Sequence, residues 1–267
     1  MELSNNTILL TGGTSGLGYE FARQLLDLGN TVLITGRDQN KLDQTKKKLP
    51  NVHTFQSDVS DPQAITQLFE TVTKQFPKLN ILINNAGEMR KLNLIDPVID
   101  QENVNREIAI NLSGPVRMVQ QFLPHLMAQQ AAAIVNVTSG IAFVPFPLAP
   151  IYGATKSGLR AYTQALRVQL KKTNVKVVEL VAPGAKTPLN DKFEGDVDSR
   201  MMMEPDKLIA VAIKGMMKDK LEILPGIAGI LKYLSRIAPN FLFNQMSKIA
   251  EKSLARPTVR QAQLAVL

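Results

Sequence analysis

Residues 7–28 read TILLTGGTSGLGYEFARQLLDL. Apart from its first residue, the run Thr7–Leu10 is apolar. Thr11–Gly18 (TGGTSGLG) follows at once, and then YEFARQLLDL places apolar residues at helical spacing. Strand, glycine turn and helix in that order are the context in which a helix N-terminus receives a pyrophosphate. Gly12 permits the tight turn out of the strand. Gly16 lets the main chain approach a phosphate closely, and Gly18 lets the helix pack tightly on the sheet. The spacing is GxxxGxG rather than GxGxxG, and glycine turns also serve as plain connectors. The stretch therefore takes its meaning from the rest of the chain.

Strand and helix patterns alternate beyond it. Strands are expected near 7–11, 31–36, 52–57, 80–84, 132–138 and 175–181. Helices are expected near 16–28, 39–48, 62–75, 101–129, with breaks at Pro115 and Pro124, and 151–171. Segments such as ILIN and AAIVNVTS are continuously apolar, as strands buried on both faces are. The reading is a single α/β domain over 1–267, a doubly wound parallel sheet (Rossmann fold) with a helical C-terminal extension. Gly12, Arg37, Asp58, Asn84, Ser139 and Pro183 each fall at or just after the carboxyl end of an expected strand, where such sheets bind ligands.

A second stretch carries chemistry. Residues 137–156 read VTSGIAFVPFPLAPIYGATK. Tyr152 and Lys156 are one helical turn apart on one face. An ammonium there favours the phenolate and can hydrogen-bond a ribose, while the Ser139 hydroxyl can hold a substrate oxygen beside the phenol. YxxxK alone also describes an ordinary surface helix with a tyrosine on its flank.

Taken together, these pieces resemble the short-chain dehydrogenase/reductase family. Thr11-Gly12-Gly13-Thr14-Ser15-Gly16-Leu17-Gly18, Asp58, Asn84-Asn85-Ala86-Gly87, Asn111, Ser139, Tyr152/Lys156 and Pro183-Gly184 stand in family order over roughly residues 5–190. The chain as a whole is similar to the DltE-like subgroup. The resemblance implies an oxidoreductase that interconverts a carbonyl and an alcohol by hydride transfer, with Tyr152 as proton donor and acceptor. It implies that Ser139 orients the oxygen and that Lys156 holds the nicotinamide ribose. Asn111 would hold a water linking Lys156 to solvent, although it also suits a helix kink before Pro115. Cofactor contacts are implied for Gly12, Thr14, Ser15, Gly16, Leu17, Gly18, Arg37, Asp58, Val59, Asn85, Ala86, Gly87, Tyr152, Lys156, Pro183, Gly184 and Thr187. Asp58-Val59 would meet the adenine, but Asp58 equally suits a turn or helix cap before Pro62. Asn84 to Gly87 would chiefly stabilise the central sheet. The order PGAKT-Pro departs from the family pattern, since Thr187 comes early and precedes a proline.

Cofactor preference is read at the end of the second strand. An acidic residue there would take the ribose 2′-hydroxyl of NAD. This chain has Gly36-Arg37, and a guanidinium matches a 2′-phosphate, so NADP(H) is expected in preference to NAD(H). A solvated Arg37 paired with Asp38 or Asp43 is the alternative.

Composition narrows the classes. The chain has no cysteine and two isolated histidines, His53 and His125, so no disulfide, thiolate or metal site is expected. The polar start MELSNNT has no signal-peptide pattern and no apolar run suffices to span a bilayer, so a cytoplasmic protein is expected. Segment 187–205 is expected to act as a substrate lid, with Met201–Met203 serving either as an adaptable apolar surface or as core. Phe143, Val144, Pro145 and Phe146 would form an apolar wall, which points to an apolar small-molecule carbonyl or alcohol.

Segment 225–257 reads as basic amphipathic helices, with Ile227, Ile230, Leu231, Leu234 and Ile237 on one face. A second helix would follow Pro239 and share a face among Phe243, Met246, Ile249 and Ala250. Residues 214–260 hold nine Lys/Arg against three Asp/Glu, so they carry most of the chain's net charge of +8. These helices could cover the pocket or a subunit interface, or lie peripherally on an anionic inner membrane surface. No nucleic-acid motif accompanies the charge. The family resemblance implies a homodimer or homotetramer through the helices near 101–129 and 151–171. Alternative functions are a membrane-surface enzyme on a lipid or envelope precursor and a non-catalytic dinucleotide sensor. A sensor would not need the intact Ser139, Tyr152 and Lys156 set.

Overall fold

The computed structural model describes residues 1–95 and 101–254, with 101–104 described at the level of the main chain. Strands and helices alternate in the order β1 (Thr7–Thr11), α1 (Gly16–Asp27), β2 (Thr31–Gly36), α2 (Gln39–Lys48), β3 (His53–Gln56), α3 (Pro62–Gln75) and β4 (Leu79–Asn84). They continue as α4 (Gln101–Ile108), α5 (Gly114–Met127), β5 (Ala132–Ser139), α6 (Pro150–Gln169), β6 (Val175–Ala182), α7 (Pro205–Met217), β7 (Glu222–Ile223), α8 (Ala228–Ile237) and α9 (Pro239–Leu254).

All seven strands are parallel and lie in the order β3-β2-β1-β4-β5-β6-β7. The chain reverses its direction of travel between β1 and β4, which leaves a crevice at the carboxyl ends of these strands. Burial on both faces explains the apolar runs. In β1, Ile8 and Leu10 join the core beneath α1, α2 and α7, whereas Leu9 joins the core beneath α3, α5 and α6. Polar residues within the sheet pair with one another. The Asn84 amide donates to Asn136 Oδ1 at 2.9 Å, and the Asn136 amide donates to Thr163 Oγ1 at 2.9 Å.

The expected helix over 101–129 does break just before Pro115, but not at Pro124. A π-helical turn at Ala109–Ser113 separates α4 from α5. Pro115 sits in the first turn of α5, where its missing N–H costs nothing, and Pro124 lies inside an uninterrupted helix. β7 was not expected, because two residues are too few to display a period. It is held by register with β6, where Glu179 lies opposite Glu222. Arg160 on α6 bridges both carboxylates at 2.7 and 2.8 Å, and Lys232 binds Glu222 as well.

Helices α8 and α9 form where the C-terminal periodicity placed them. The expected face of α8 divides, however. Leu231 turns inward toward the crevice, while Ile230 and Ile237 are exposed. Segment 225–257 is described as far as Leu254, and its last three residues lie outside the described residues.

Candidate active site

The glycine turn is built by close packing. Gly12 has φ +69°, and a Cβ on it would lie 2.8 Å from Ala86 Cα. Gly16 has φ +53°, which is left-handed backbone that a side chain resists. A Cβ on Gly18 would lie 2.0 Å from the Gly12 carbonyl oxygen, so the first turn of α1 rests directly on the strand exit. Thr11 and Asn85 lock the turn to the end of β4. Thr11 Oγ1 accepts from the Asn85 and Ala86 main-chain N–H groups, both at 3.0 Å, and the Asn85 amide donates to the Thr11 and Gly12 carbonyls. Ser15, the N-cap of α1, makes no side-chain cap. The first-turn N–H groups therefore have no side-chain partner from Ser15 and open on the crevice.

That crevice is one cleft of about 380 Å³. Among its lining residues are Gly12, Thr14, Ser15, Gly16, Leu17, Gly18, Arg37, Asp58, Val59, Asn85, Ala86, Gly87, Ser139, Tyr152, Lys156, Pro183, Gly184 and Thr187. Every expected site residue but Asn111 lines it. Thr187 closes over the glycine turn, with its Cβ 3.2 Å from where a Cβ of Gly16 would stand. The donors of the α1 N-terminus, the left-handed glycine and the cationic end at Arg37 fit a nucleotide phosphate.

Arg37 projects from the end of β2 with its side chain 47% exposed. Its guanidinium lies 3.8 Å from Asp58 Oδ2 and 3.7 Å from Glu88 Oε2, so its partners are neither Asp38 nor Asp43. Asp38 instead caps α2. Asp58 Oδ1 accepts from the Ser60 N–H at 2.9 Å and from its hydroxyl at 2.7 Å, while the capping of α3 falls to Asp61. Asp58 is thus a turn residue whose second oxygen faces the arginine.

Asn111 is buried in the π-helical turn. Its Oδ1 accepts from the Glu88 N–H at 2.9 Å, and its amide donates to the Glu88 carbonyl at 2.7 Å. The side chain therefore staples the end of β4 to the helix break. Gly87 leaves open space between Asn111 and Lys156, since a Cβ there would lie 3.3 Å from Asn111 Oδ1 and 3.8 Å from Lys156 Nζ.

Tyr152 and Lys156 sit on α6 with the Lys156 ammonium 5.5 Å from the phenol ring centroid. Lys156 Nζ donates to the Val137 carbonyl at 2.9 Å. Burial pushes the phenol up to about 12, with the Ser139 hydroxyl pulling it down and the Glu107 carboxylate adding to the rise. Burial likewise brings Lys156 down to about 8. The lysine was expected to lower the phenol, but desolvation dominates and the lowering comes from the Ser139 hydroxyl.

The apolar wall divides. Phe146 packs with Met89, Tyr152, Phe193 and Ala250, whereas the Phe143 ring lies beneath the Arg160 guanidinium at 4.6 Å. The methionines divide too. Met203 packs on the core and ties to Gly184 and Lys186 by main-chain bonds, but Met201 is exposed. The lid span 187–205 is anchored by Phe193 and by Lys91, which binds Asp196 at 2.6 Å.

Sequence reading missed Lys41 and Glu88 on the cleft wall, as well as the buried Glu107, whereas Leu231 belongs to the helical face that was expected to cover the pocket or an interface. Lys41 and Glu88 had a signal in their positions, just past the second strand end and just past Gly87. Glu107 had none, because only the folded chain brings it to the site.

Known proteins agree with this geometry. A family model described as short chain dehydrogenase matches residues 6–198. An uncharacterized oxidoreductase DltE of Bacillus subtilis is 38% identical over 248 residues, covering 92% of this chain and 98% of that protein. A short chain dehydrogenase from Burkholderia cenocepacia, solved in complex with NADP, superposes with a TM-score of 0.80 at 20% identity, covering 92% of this chain and 99% of that one. A 3-ketoacyl-(acyl-carrier-protein) reductase from Brucella melitensis, complexed with NADH, has a TM-score of 0.74 at 26% identity, covering 82% and 93%.

Proposed function

The chain belongs to the short-chain dehydrogenase family, and from that premise we propose that it is an NADP(H)-dependent reductase of small, apolar carbonyl compounds. The observation that carries this reading is one cleft in which the glycine turn and Arg37 stand at one end and Ser139, Tyr152 and Lys156 at the other. Gly12, Gly16, Gly18 and the α1 N-terminus would hold the pyrophosphate. Arg37 would take the 2′-phosphate, with Lys41 beside it, and Asp58-Val59, Ala86, Pro183, Gly184 and Thr187 would line the remainder. A bound NADPH supplies the hydride. Tyr152, protonated at neutral pH because burial holds its phenol high, gives its proton to the carbonyl oxygen as that carbon gains hydride, so an alcohol results. Ser139 holds the same oxygen. Lys156 positions the ribose and stabilises the phenolate that remains. The phenolate would regain its proton by way of Lys156 from a water held by the main chain of the π-helical turn, since the Asn111 amide is already spent on Glu88.

Association through α5 and α6 is favoured by Met127 and Val168, which are exposed on the ends of those helices. No helix among the described residues is long and apolar enough to cross a membrane. The test follows NADPH absorbance with a panel of aldehydes, ketones and quinones. Tyr152→Phe should lower turnover about 10²–10⁴-fold while NADPH affinity holds. Turnover close to wild type in that variant would remove the tyrosine as proton donor.

A further inference from the structure

Helices α8 and α9 are apolar on two sides. Their inner sides face the cleft and the apolar cluster beside it. Leu231 lines the cleft, and Ala250 packs with Tyr152 and Phe146, with Met246 and Ile249 beside it. Their outer sides are also apolar. Ile230, Tyr233 and Ile237 recur at helical spacing along α8 and are 59%, 63% and 59% exposed, and Phe241 at the start of α9 is 58% exposed. These four large side chains stand in water along the outer edge, and nothing among the described residues covers them.

The charge around that edge is mainly positive. Arg236 is exposed beside Tyr233 and Ile237. On α9, Phe241, Gln245, Lys248 and Lys252 follow one another on an outward line, with Glu251 the single acidic residue of the two helices. A second copy of this chain across a two-fold axis would set one basic edge against another. An anionic lipid surface complements them instead, and it accepts the aliphatic and aromatic side chains between headgroups.

We propose that the outer edge of α8 and the start of α9 rests on an anionic bilayer surface, with the mouth of the substrate pocket held at the lipid boundary. The orientation of the mouth rests on the cleft being the substrate site, but binding to the surface does not. In that arrangement an apolar carbonyl substrate reaches Tyr152 from the lipid phase, past helices that touch lipid on one side and the pocket on the other.

Sedimentation of the full chain with phosphatidylglycerol vesicles and with phosphatidylcholine vesicles tests this without any turnover measurement. Retention on phosphatidylglycerol alone is expected, with release at about 1 M salt, where screening acts within roughly 3 Å. The combined variant Ile230→Ser, Ile237→Ser and Phe241→Ser, and separately Arg236→Glu with Lys248→Glu and Lys252→Glu, should each lower retention by at least about tenfold. Unchanged circular dichroism and melting temperature would show that both variants remain folded. Retention that is absent, or equal on the two lipids, overturns the proposal. So does an apolar variant that turns a dimer into a monomer in light scattering while wild type ignores vesicles, because the edge would then be a subunit interface. Vesicle binding in a protein that reduces no carbonyl would leave the surface assignment standing and remove the reductase reading alone.

Discussion

Arg37 is the residue on which the proposed cofactor preference turns. Its guanidinium stands between Asp58 and Glu88 at distances longer than hydrogen bonds, so the carboxylates hold it over the cleft without saturating its donors. A 2′-phosphate would replace these loose contacts with charge-assisted hydrogen bonds. Arg37→Ala should therefore weaken NADPH binding about 10–100-fold and leave NADH within about threefold, as measured by fluorescence titration. Equal losses for both cofactors would remove the arginine from the phosphate. The presence of Arg37 was legible, because it follows the second strand directly. Its partners were not, since Asp58 and Glu88 reach it from the ends of two other strands. The same holds for Tyr152 and Lys156. Their spacing along α6 was readable, but the burial that separates their titrations comes from the loops and helices packed around them.

At the level of elements, the glycine turn works by contact as much as by conformation. Gly18→Ala would drive a Cβ against the Gly12 carbonyl and the Asn85 amide, which stands 2.6 Å away. Thermal unfolding should show a loss of about 3 kcal/mol or more, with cofactor affinity falling in parallel. Gly29→Ala is the matched comparison. Gly29 has a left-handed φ, of +78°, which Gly18 inside α1 does not, yet nothing lies within 4 Å of a Cβ placed there, so its cost should stay at about 1 kcal/mol and cofactor affinity should hold. A Gly18→Ala cost no larger than that of Gly29→Ala would show that the contact does not govern the turn. Period and punctuation announced β1 to β6 and their helices. The break expected at Pro124 is absent, and the break between α4 and α5 falls just before Pro115, where it was expected, but as a π-helical turn, which has no composition of its own. Its position follows from Asn111, which must reach the main chain of Glu88.

At the scale of the molecule, Arg160 joins α6 to the last two strands and, through Phe143, to the loop that carries the pocket wall. Glu179 is wholly buried and keeps only the Thr138 hydroxyl, at 2.8 Å, once that arginine is lost. Arg160→Met should cost about 3–5 kcal/mol in urea unfolding, because it leaves a carboxylate buried without its cation. A cost under about 1 kcal/mol would mean that the carboxylate is protonated or has found another partner. The doubly wound parallel fold, the cleft at the strand ends and the identity of its glycines, arginine, serine, tyrosine and lysine came from the order of residues alone, since each is signalled by local periodicity or by short spacing along the chain. The orphaned edge of α8 and α9, the two-residue β7, the carboxylates around Arg37 and the high phenol of Tyr152 were decided by the tertiary structure. Each depends on burial and on charges brought together from distant segments, and neither quantity exists until the chain has packed.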